Sequence, residues 1–178
     1  FGKRVMILGE SHYEWDEEEK PDPEWTRTFI GNQISGEHTL AFWTRVAGAF
    51  IGHRPNLAEK QDFWRSVAFY NYIQESAGFG PRVRPTPEMW TNSEPGFAKV
   101  LQKHAPQVLI VLGYQLWNKI PDLSGAQDKP INGAPQTQTW RYPLNSGATC
   151  LAYAIRHPSS GFSGSSWQPH ILEAIRRA

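Results

Sequence analysis

The sequence predicts an α/β protein, with a mainly parallel four-stranded sheet between two layers of helices. Two patterns support this fold class. Four short apolar runs have the continuous character of strands buried on both faces, and segments with a helical spacing of apolar residues separate them. The chain of 178 residues is long enough for one domain with a proper core, so we expect a single domain over residues 1–178.

The four predicted strands span about residues 3–8, 67–73, 107–113 and 149–156. A polar residue lies at or just beyond the end of three of them: Glu10, Asn71 and His157. Ligands of open parallel sheets bind beyond the carboxyl ends of the strands. We therefore expect Glu10 and His157 to face one crevice.

Capping residues and apolar spacing predict the helices. The first, from about residue 37 to 51, carries a core stripe made of Leu40, Trp43, Val46, Ala47, Phe50 and Ile51. Asn56 and Thr86 are the expected caps of two further helices, and we expect Pro95 and Gly96 to interrupt the second of these. A short helix follows the third strand.

The end of the chain forms the last predicted helix, with Ser165 or Ser166 as its N-cap. Residues 121–146, in contrast, are rich in Gly, Pro, Gln, Asn and Thr. They predict an irregular connection with room for one short extra strand. A flavodoxin-like nucleotide binder is the alternative fold, but neither of the common glycine-rich phosphate-binding fingerprints follows any predicted strand.

The amino-acid composition limits which partners the protein can have. The formal net charge is only +1, so any nucleic-acid site must be a local patch. Cys150 is the single cysteine, which excludes a disulfide framework or an iron–sulfur site within one chain, and we interpret it as a buried strand residue. The six histidines show no metal-ligand spacing, and no apolar run approaches the roughly 20 residues of a membrane span. We expect a cytoplasmic monomer with no cofactor, no metal and no membrane partner.

The loop after the fourth strand, residues 157–163, reads His-Pro-Ser-Ser-Gly-Phe-Ser. Such small residues offer free backbone amides and hydroxyls, which suit a loop that grips a phosphate backbone. The candidate DNA-binding residues are Ser159, Ser160, Ser163, Arg82 and Arg84, with Phe162 as a wedge for the space that a displaced base leaves. The structural alternative is an ordinary strand-to-helix turn.

Together, five segments resemble the uracil-DNA glycosylase superfamily over nearly the whole chain. Residues 9–13, Gly-Glu-Ser-His-Tyr, are similar to the motif after the family's first strand, and residues 157–159, His-Pro-Ser, to the motif after its last. Asn71 lies where the family keeps a base-reading asparagine. Residues 86–88, Thr-Pro-Glu, and the strand before Gly113 are similar to the iron–sulfur branch, although the cysteines of its cluster are absent.

The resemblance implies base flipping and hydrolysis of an N-glycosidic bond. Glu10 would orient the water or balance charge on the sugar, and His157 would donate a hydrogen bond to the base carbonyl. Asn71 would read a pyrimidine edge. The structural alternatives are a turn cap for Glu10, an ordinary histidine for His157 and a satisfied strand end for Asn71.

Four further residues belong to the expected base pocket. Phe29, in a segment similar to the family's Pro-Phe-Val-Gly, would stack on the base, with core packing as its alternative role. Ser11 stands where the uracil-specific branch has its water-orienting aspartate, Tyr13 where that branch excludes substituents on the pyrimidine, and His12 replaces a proline. Because of Ser11, the catalytic carboxylate is either Glu10 or an acid of the following run, Asp16 or Glu17.

The expected function is a DNA glycosylase that excises uracil or a modified pyrimidine and leaves an abasic site. One alternative is removal of a bulky modified base from viral DNA. Others are a module that binds a base or an abasic site without cutting, and a hydrolase of free nucleosides. The last would need neither Phe162 nor the serine loop.

Overall fold

The structure is a computed structural model that describes residues 1–14, 22, 24–37, 40–80, 83–135, 138–159 and 161–178. In chain order its elements are β1 Val5–Gly9, β2 His12–Glu14, α1 Trp25–Ser35, α2 Ala41–Ile51, α3 Leu57–Ser66, β3 Ala68–Asn71, β4 Ser76–Phe79, α4 Pro87–His104, β5 Val108–Leu112, α5 Tyr114–Trp117, β6 Ala126–Asp128, β7 Thr139–Pro143, β8 Thr149–Ile155 and α6 Gly164–Arg177.

The central sheet has the strand order β3-β1-β5-β8-β7-β6. The first four are parallel and correspond to the four predicted strands, which confirms the mainly parallel α/β architecture. The prediction of four strands is nevertheless wrong, because β7 and β6 extend the sheet to six as antiparallel strands. They fold from the segment predicted to be irregular. Strand β2 pairs separately with β4.

Alternate residues of each central strand enter two separate cores, as expected for a sheet covered on both faces. One core contains Val5, Ile7, Val108 and Ile110 together with buried side chains of α2, α3 and α6. The other contains Met6, Leu8, Leu109 and Val111 together with side chains of α4 and α5. The three-layer arrangement therefore follows directly from the pleat of the strands. Cys150 is buried in β8, as predicted.

Three predicted helix boundaries are wrong. Helix α2 begins at Ala41 and not at about residue 37, so Leu40 is its N-cap residue and is exposed, outside the predicted core stripe. Helix α4 continues through Pro95. A proline has no amide hydrogen, so one backbone carbonyl of the preceding turn loses its partner, and because Pro95 is exposed, water can bond to that carbonyl. Phe97 and Leu101 pack the second half of the helix against the sheet. Helix α6 begins two residues early, with Ser163 as the N-cap residue. The caps at Asn56 and Thr86 are confirmed: each side chain accepts a hydrogen bond from a backbone amide of the first turn.

No helix in the described part of the chain is both long and apolar enough to cross a bilayer.

Candidate active site at the carboxyl edge of the sheet

The predicted site residues lie where the parallel strands end. Strand β1 has β3 on one side and β5 on the other, so the strand order reverses direction at β1. Open α/β sheets form a crevice at such a switch point. Glu10 follows β1, Asn71 ends β3, Gly113 follows β5, and His157 lies two residues beyond β8. Residues that are far apart in sequence therefore share one edge of the sheet.

Glu10 lies half-buried at this edge and makes an ion pair. Its Oε1 is 3.2 Å from Nη1 of Arg84, and its side chain is 16% exposed, compared with 63% for that of Arg84. The backbone carbonyl of Glu10 accepts a hydrogen bond from the amide of Ile73, at 2.9 Å. This bond extends the β1–β3 pairing past the strand and fixes the direction of the Glu10 backbone.

Asn71 is buried, with 4% of its surface exposed. It pairs with Gly9 in the parallel register, and a Cβ atom built on Gly9 would lie only 2.3 Å from Oδ1 of Asn71. The amide therefore lies directly against the Gly9 backbone. Among the described residues, no hydrogen bond to this side-chain amide is found, although its backbone carbonyl accepts one from Gln74. The buried side-chain atoms without a partner in the described structure are Oε1 of Gln33 and Nε1 of Trp64, so the polar atoms of the Asn71 amide keep some access to solvent and can reach a polar ligand.

His157 packs between a glycine and an aromatic ring. A Cβ atom on Gly113 would lie 3.4 Å from Cβ of His157, and Gly113 has a φ of 112°, a conformation that favours glycine. The ring of Phe42 lies with its centroid 5.6 Å from that of His157 at an interplanar angle of 30°. Phe42 is half-buried. The imidazole is thus positioned from two sides.

One guanidinium, that of Arg84, lies near both Glu10 and His157. The pKa of His157 is lowered from its ordinary value, first by partial desolvation and second by the Arg84 cation, although the residue as a whole keeps exposed surface. Arg84 is also the ion-pair partner of Glu10. Glu10 and His157 therefore both lie within electrostatic range of one side chain, and the lowered pKa keeps the imidazole neutral at pH 7.

His12 and Phe29 pack against each other. Their rings are stacked at 5.4 Å with an interplanar angle of 25°, and Trp25 meets His12 edge-on at 5.9 Å. Nε2 of His12 lies 2.8 Å from Oγ1 of Thr26. Phe29 is also stacked on Trp43, at 6.4 Å. A base could stack on Phe29 only if one of these rings moved, so in this conformation Phe29 joins α1 to the core.

Burial of His12 makes the stability of the fold depend on pH. Desolvation lowers its pKa from 6.5 to about 4. Between these two pH values the unfolded chain binds more protons than the folded protein, so stability falls as the pH falls. We expect protonation of this residue alone to lower the free energy of unfolding by up to about 3 kcal/mol between pH 7 and a pH below 4.

Urea unfolding at several pH values measures this effect. His12→Gln should show a shallower loss of unfolding free energy with acid than the wild type, whereas His104→Gln, which alters an exposed histidine at the end of α4, should not. Identical pH profiles for the wild type and His12→Gln would contradict the assignment.

The remaining residues of the first motif belong to the small sheet. Tyr13 lies in β2, half-buried, and desolvation raises its pKa above the ordinary value. Ser11, also half-buried, connects β1 to β2. Strand β2 pairs with β4, so the segment after β1 is held by the segment after β3. The acids Asp16 and Glu17 lie outside the described residues.

The serine loop differs in part from the expectation. Ser159 is exposed, and its amide donates to the His157 carbonyl at 2.7 Å, which closes a tight turn. The Ser163 hydroxyl is bonded to those of Ser165 and Ser166, at 3.2 and 3.0 Å. Phe162 is half-buried against the core cluster that includes α2 and α6, and is not a free wedge. Ser160 and Arg82 lie outside the described residues.

Phe42 was missed in the sequence, and Gly9 and Gly113 were recognised only as parts of motifs, without a role in the site. Phe42 falls within the predicted helix but outside its core stripe, so helical periodicity gave no reason to select it. Gly9 and Gly113 each end a predicted strand, and a glycine there is a sequence signal for close approach of another group. Arg84, expected to support phosphates, is instead paired with Glu10.

In chemical terms, the edge combines a carboxylate, a neutral imidazole, an unpaired amide and an aromatic ring. A carboxylate can orient water, a neutral imidazole can donate to a developing anion, and an amide can read a ring edge with both donor and acceptor. Among the described residues, no group of three or more His, Cys, Asp or Glu side chains is arranged to hold a metal ion. Comparison of the chain with protein-family models gave no match, and neither did comparison with curated proteins.

Proposed function

We propose that the protein is a DNA glycosylase, a divergent relative of the uracil-DNA glycosylase superfamily, that hydrolyses the N-glycosidic bond of a flipped pyrimidine-type base. The observation that carries the proposal is the arrangement of Glu10, Asn71 and His157 along one edge of the parallel sheet, with Arg84 acting on both titratable groups. These residues supply the three functions that the reaction requires.

Each function has a residue. Glu10 orients the attacking water or balances the positive charge that develops on the sugar. The neutral imidazole of His157 donates a hydrogen bond to the base carbonyl as negative charge accumulates there. The unpaired amide of Asn71 forms hydrogen bonds with the edge of the base, and the lack of another partner in the described structure is what makes it available.

Phe42 is the aromatic group best placed to contact the base. It is half-buried and lies beside His157, whereas Phe29 is enclosed between His12 and Trp43. Stacking on an aromatic ring is indifferent to base identity, so it suits a pocket for uracil and for modified pyrimidines alike.

The test is a base-excision assay. Labelled duplexes carrying uracil, hypoxanthine or modified cytosines, including bulky ones, are incubated with the protein and then treated with alkali, which breaks the strand at abasic sites. We expect breaks with at least one pyrimidine-type base and none with Glu10→Gln. Turnover of free nucleosides alone would identify a nucleoside hydrolase and reject the proposal.

One observation favours a second candidate, a module that binds a flipped base without cutting. The ion pair with Arg84 occupies the Glu10 carboxylate, which is the group that would orient water. In that case the wild type retards modified duplexes on a gel without breaking them. If the ion pair with Arg84 is all that prevents Glu10 from orienting water, Arg84→Ala should gain excision activity. A glycosylase that needs this ion pair for activity should instead lose excision in the same variant.

A further inference from the structure

A second surface feature lies on the α2 and α6 side of the sheet. It is a cleft of about 510 Å³ whose lining includes Arg45 and Arg54, the loop residue Phe162, and Ser165 in the first turn of α6. The cleft and the candidate active site are connected through the loop that follows β8, because His157 and Phe162 belong to that loop.

The cleft is positively charged. Arg45 and Arg54 are both exposed, and no ion pair or hydrogen bond to either guanidinium is found among the described residues. None of the described residues that line the cleft is acidic. The neighbouring His53 is different, since its Nε2 lies 3.1 Å from Glu59. The two arginines are therefore uncompensated cations, unlike the arginines on α1 and α3, which have carboxylate partners.

The floor of the cleft is backbone. Helices α2 and α6 cross so closely that a Cβ atom on Gly164 would lie 2.9 Å from the carbonyl group of Gly48. The Ser163 side chain does not cap α6, and the first turn of α6 contains no acidic residue. The amides of this first turn, for which the described residues provide no side-chain cap, add to the positive potential that the arginines create.

The dimensions fit a polymer and not a single anion. The lining runs along α2 from Ala41 to Gly52, and this helix of 11 residues is about 16 Å long. A DNA strand carries one phosphate for about every 3.4 Å of helix axis, so several phosphates would lie along the cleft. The length and the positive charge of the cleft therefore suit an extended polyanion.

We infer that the cleft between α2 and the start of α6 binds the phosphodiester backbone of a nucleic-acid strand, with Arg45 and Arg54 as its cationic contacts. The choice of nucleic acid over other polyanions rests on the proposed function. The strand would run from the flipped base past the loop after β8 and along α2. Neither Arg45 nor Arg54 was among the DNA-binding residues expected from the sequence, whereas Phe162 and the loop after β8 were.

Salt dependence of binding tests the inference. Fluorescence anisotropy is measured with a labelled duplex that carries a stable abasic-site analogue, at about 50 to 200 mM salt, where each lost phosphate contact lowers the log–log slope by about 0.9. We expect Arg45→Ala/Arg54→Ala to lose about tenfold in affinity and about two units of slope. The matched control is Arg27→Ala/Arg65→Ala, which removes the same charge from paired arginines and should keep the wild-type slope.

A second variant excludes unfolding as the cause. Ser165→Glu places a carboxylate in the first turn of α6, where it stabilises the helix, so a loss of affinity there reflects repulsion of phosphate. Equal slopes for the two arginine pairs, no binding by the wild type, or competition by polyglutamate as strong as that by DNA would each overturn the inference. If the protein excises bases but the Arg45→Ala/Arg54→Ala variant keeps the wild-type salt slope, only the role of the cleft is rejected. If that variant has a smaller slope but the wild type excises nothing, only the catalytic proposal is rejected.

Discussion

Glu10→Gln and His157→Gln are each expected to lower the single-turnover rate of base excision by about 10²- to 10⁴-fold, the range for a lost general acid–base or oxyanion-stabilising group. Glutamine keeps the size of Glu10 but removes the charge that, in the proposed mechanism, orients water. At position 157 it removes the imidazole that lies between Gly113 and Phe42. DNA affinity should change much less, because neither side chain is expected to contact a phosphate.

The controls are conservative changes outside the site. Glu173→Gln removes a carboxylate that is paired with Arg176 on α6, and His170→Gln removes a histidine from the same helix. Both should excise at the wild-type rate. A Glu10→Gln variant as fast as the wild type would show that another acid performs the reaction, and Asp16 and Glu17 would be the next carboxylates to replace.

Gly9→Ala should impair excision by at least about 10²-fold without touching a catalytic group, as expected when a binding group is displaced by about 1 Å. The added methyl carbon would lie 2.3 Å from Oδ1 of Asn71 and 2.8 Å from Cζ of Phe69. Both side chains must move, so the amide leaves its position against the Gly9 backbone. Overpacking of this kind also destabilises the fold by about 1–3 kcal/mol.

A double variant separates the two effects. Gly9→Ala/Asn71→Ala removes the closer clash, so urea unfolding should show part of the lost stability regained, while excision stays low because the amide is gone. Asn71→Ala alone should lose excision with little loss of stability. Gly31→Ala is the matched control, since nothing lies within 4 Å of its added Cβ atom. Full activity of Gly9→Ala would contradict the role given to Asn71.

Local sequence signals were reliable where a short segment determines its own structure. Asn56 and Thr86 cap helices as predicted, because a side-chain oxygen three residues before a backbone amide needs no distant partner. Strands β1, β5 and β8 were recognisable for a related reason: a strand covered on both faces is apolar along nearly its whole length. The edge strand β3 is more exposed and was recognised by its β-branched and aromatic residues.

The errors occurred where distant contacts outweigh local preference. Helix α1 was not predicted: its core-facing side chains Phe29, Ile30 and Ile34 have helical spacing but are only partly buried, and its one fully buried residue is the polar Gln33. Strands β6 and β7 form from a polar segment because β7 pairs with β8 and Asp128 accepts from Arg141 at 2.8 Å. Helix α4 passes through Pro95 because residues on both sides of it pack against the sheet.

By itself, the sequence determined that four buried strands alternate with helices, and that Glu10, Asn71 and His157 lie at or near strand ends. These features could be predicted because the burial of a strand and the capping of a helix end depend on residues that are close together in the sequence. Only the tertiary structure decided that β1 lies between β3 and β5, that Arg84 pairs with Glu10, and that Phe42 flanks His157. Strand order and contacts across the sheet depend on packing between segments that are many residues apart. Local sequence patterns contain no information about such packing.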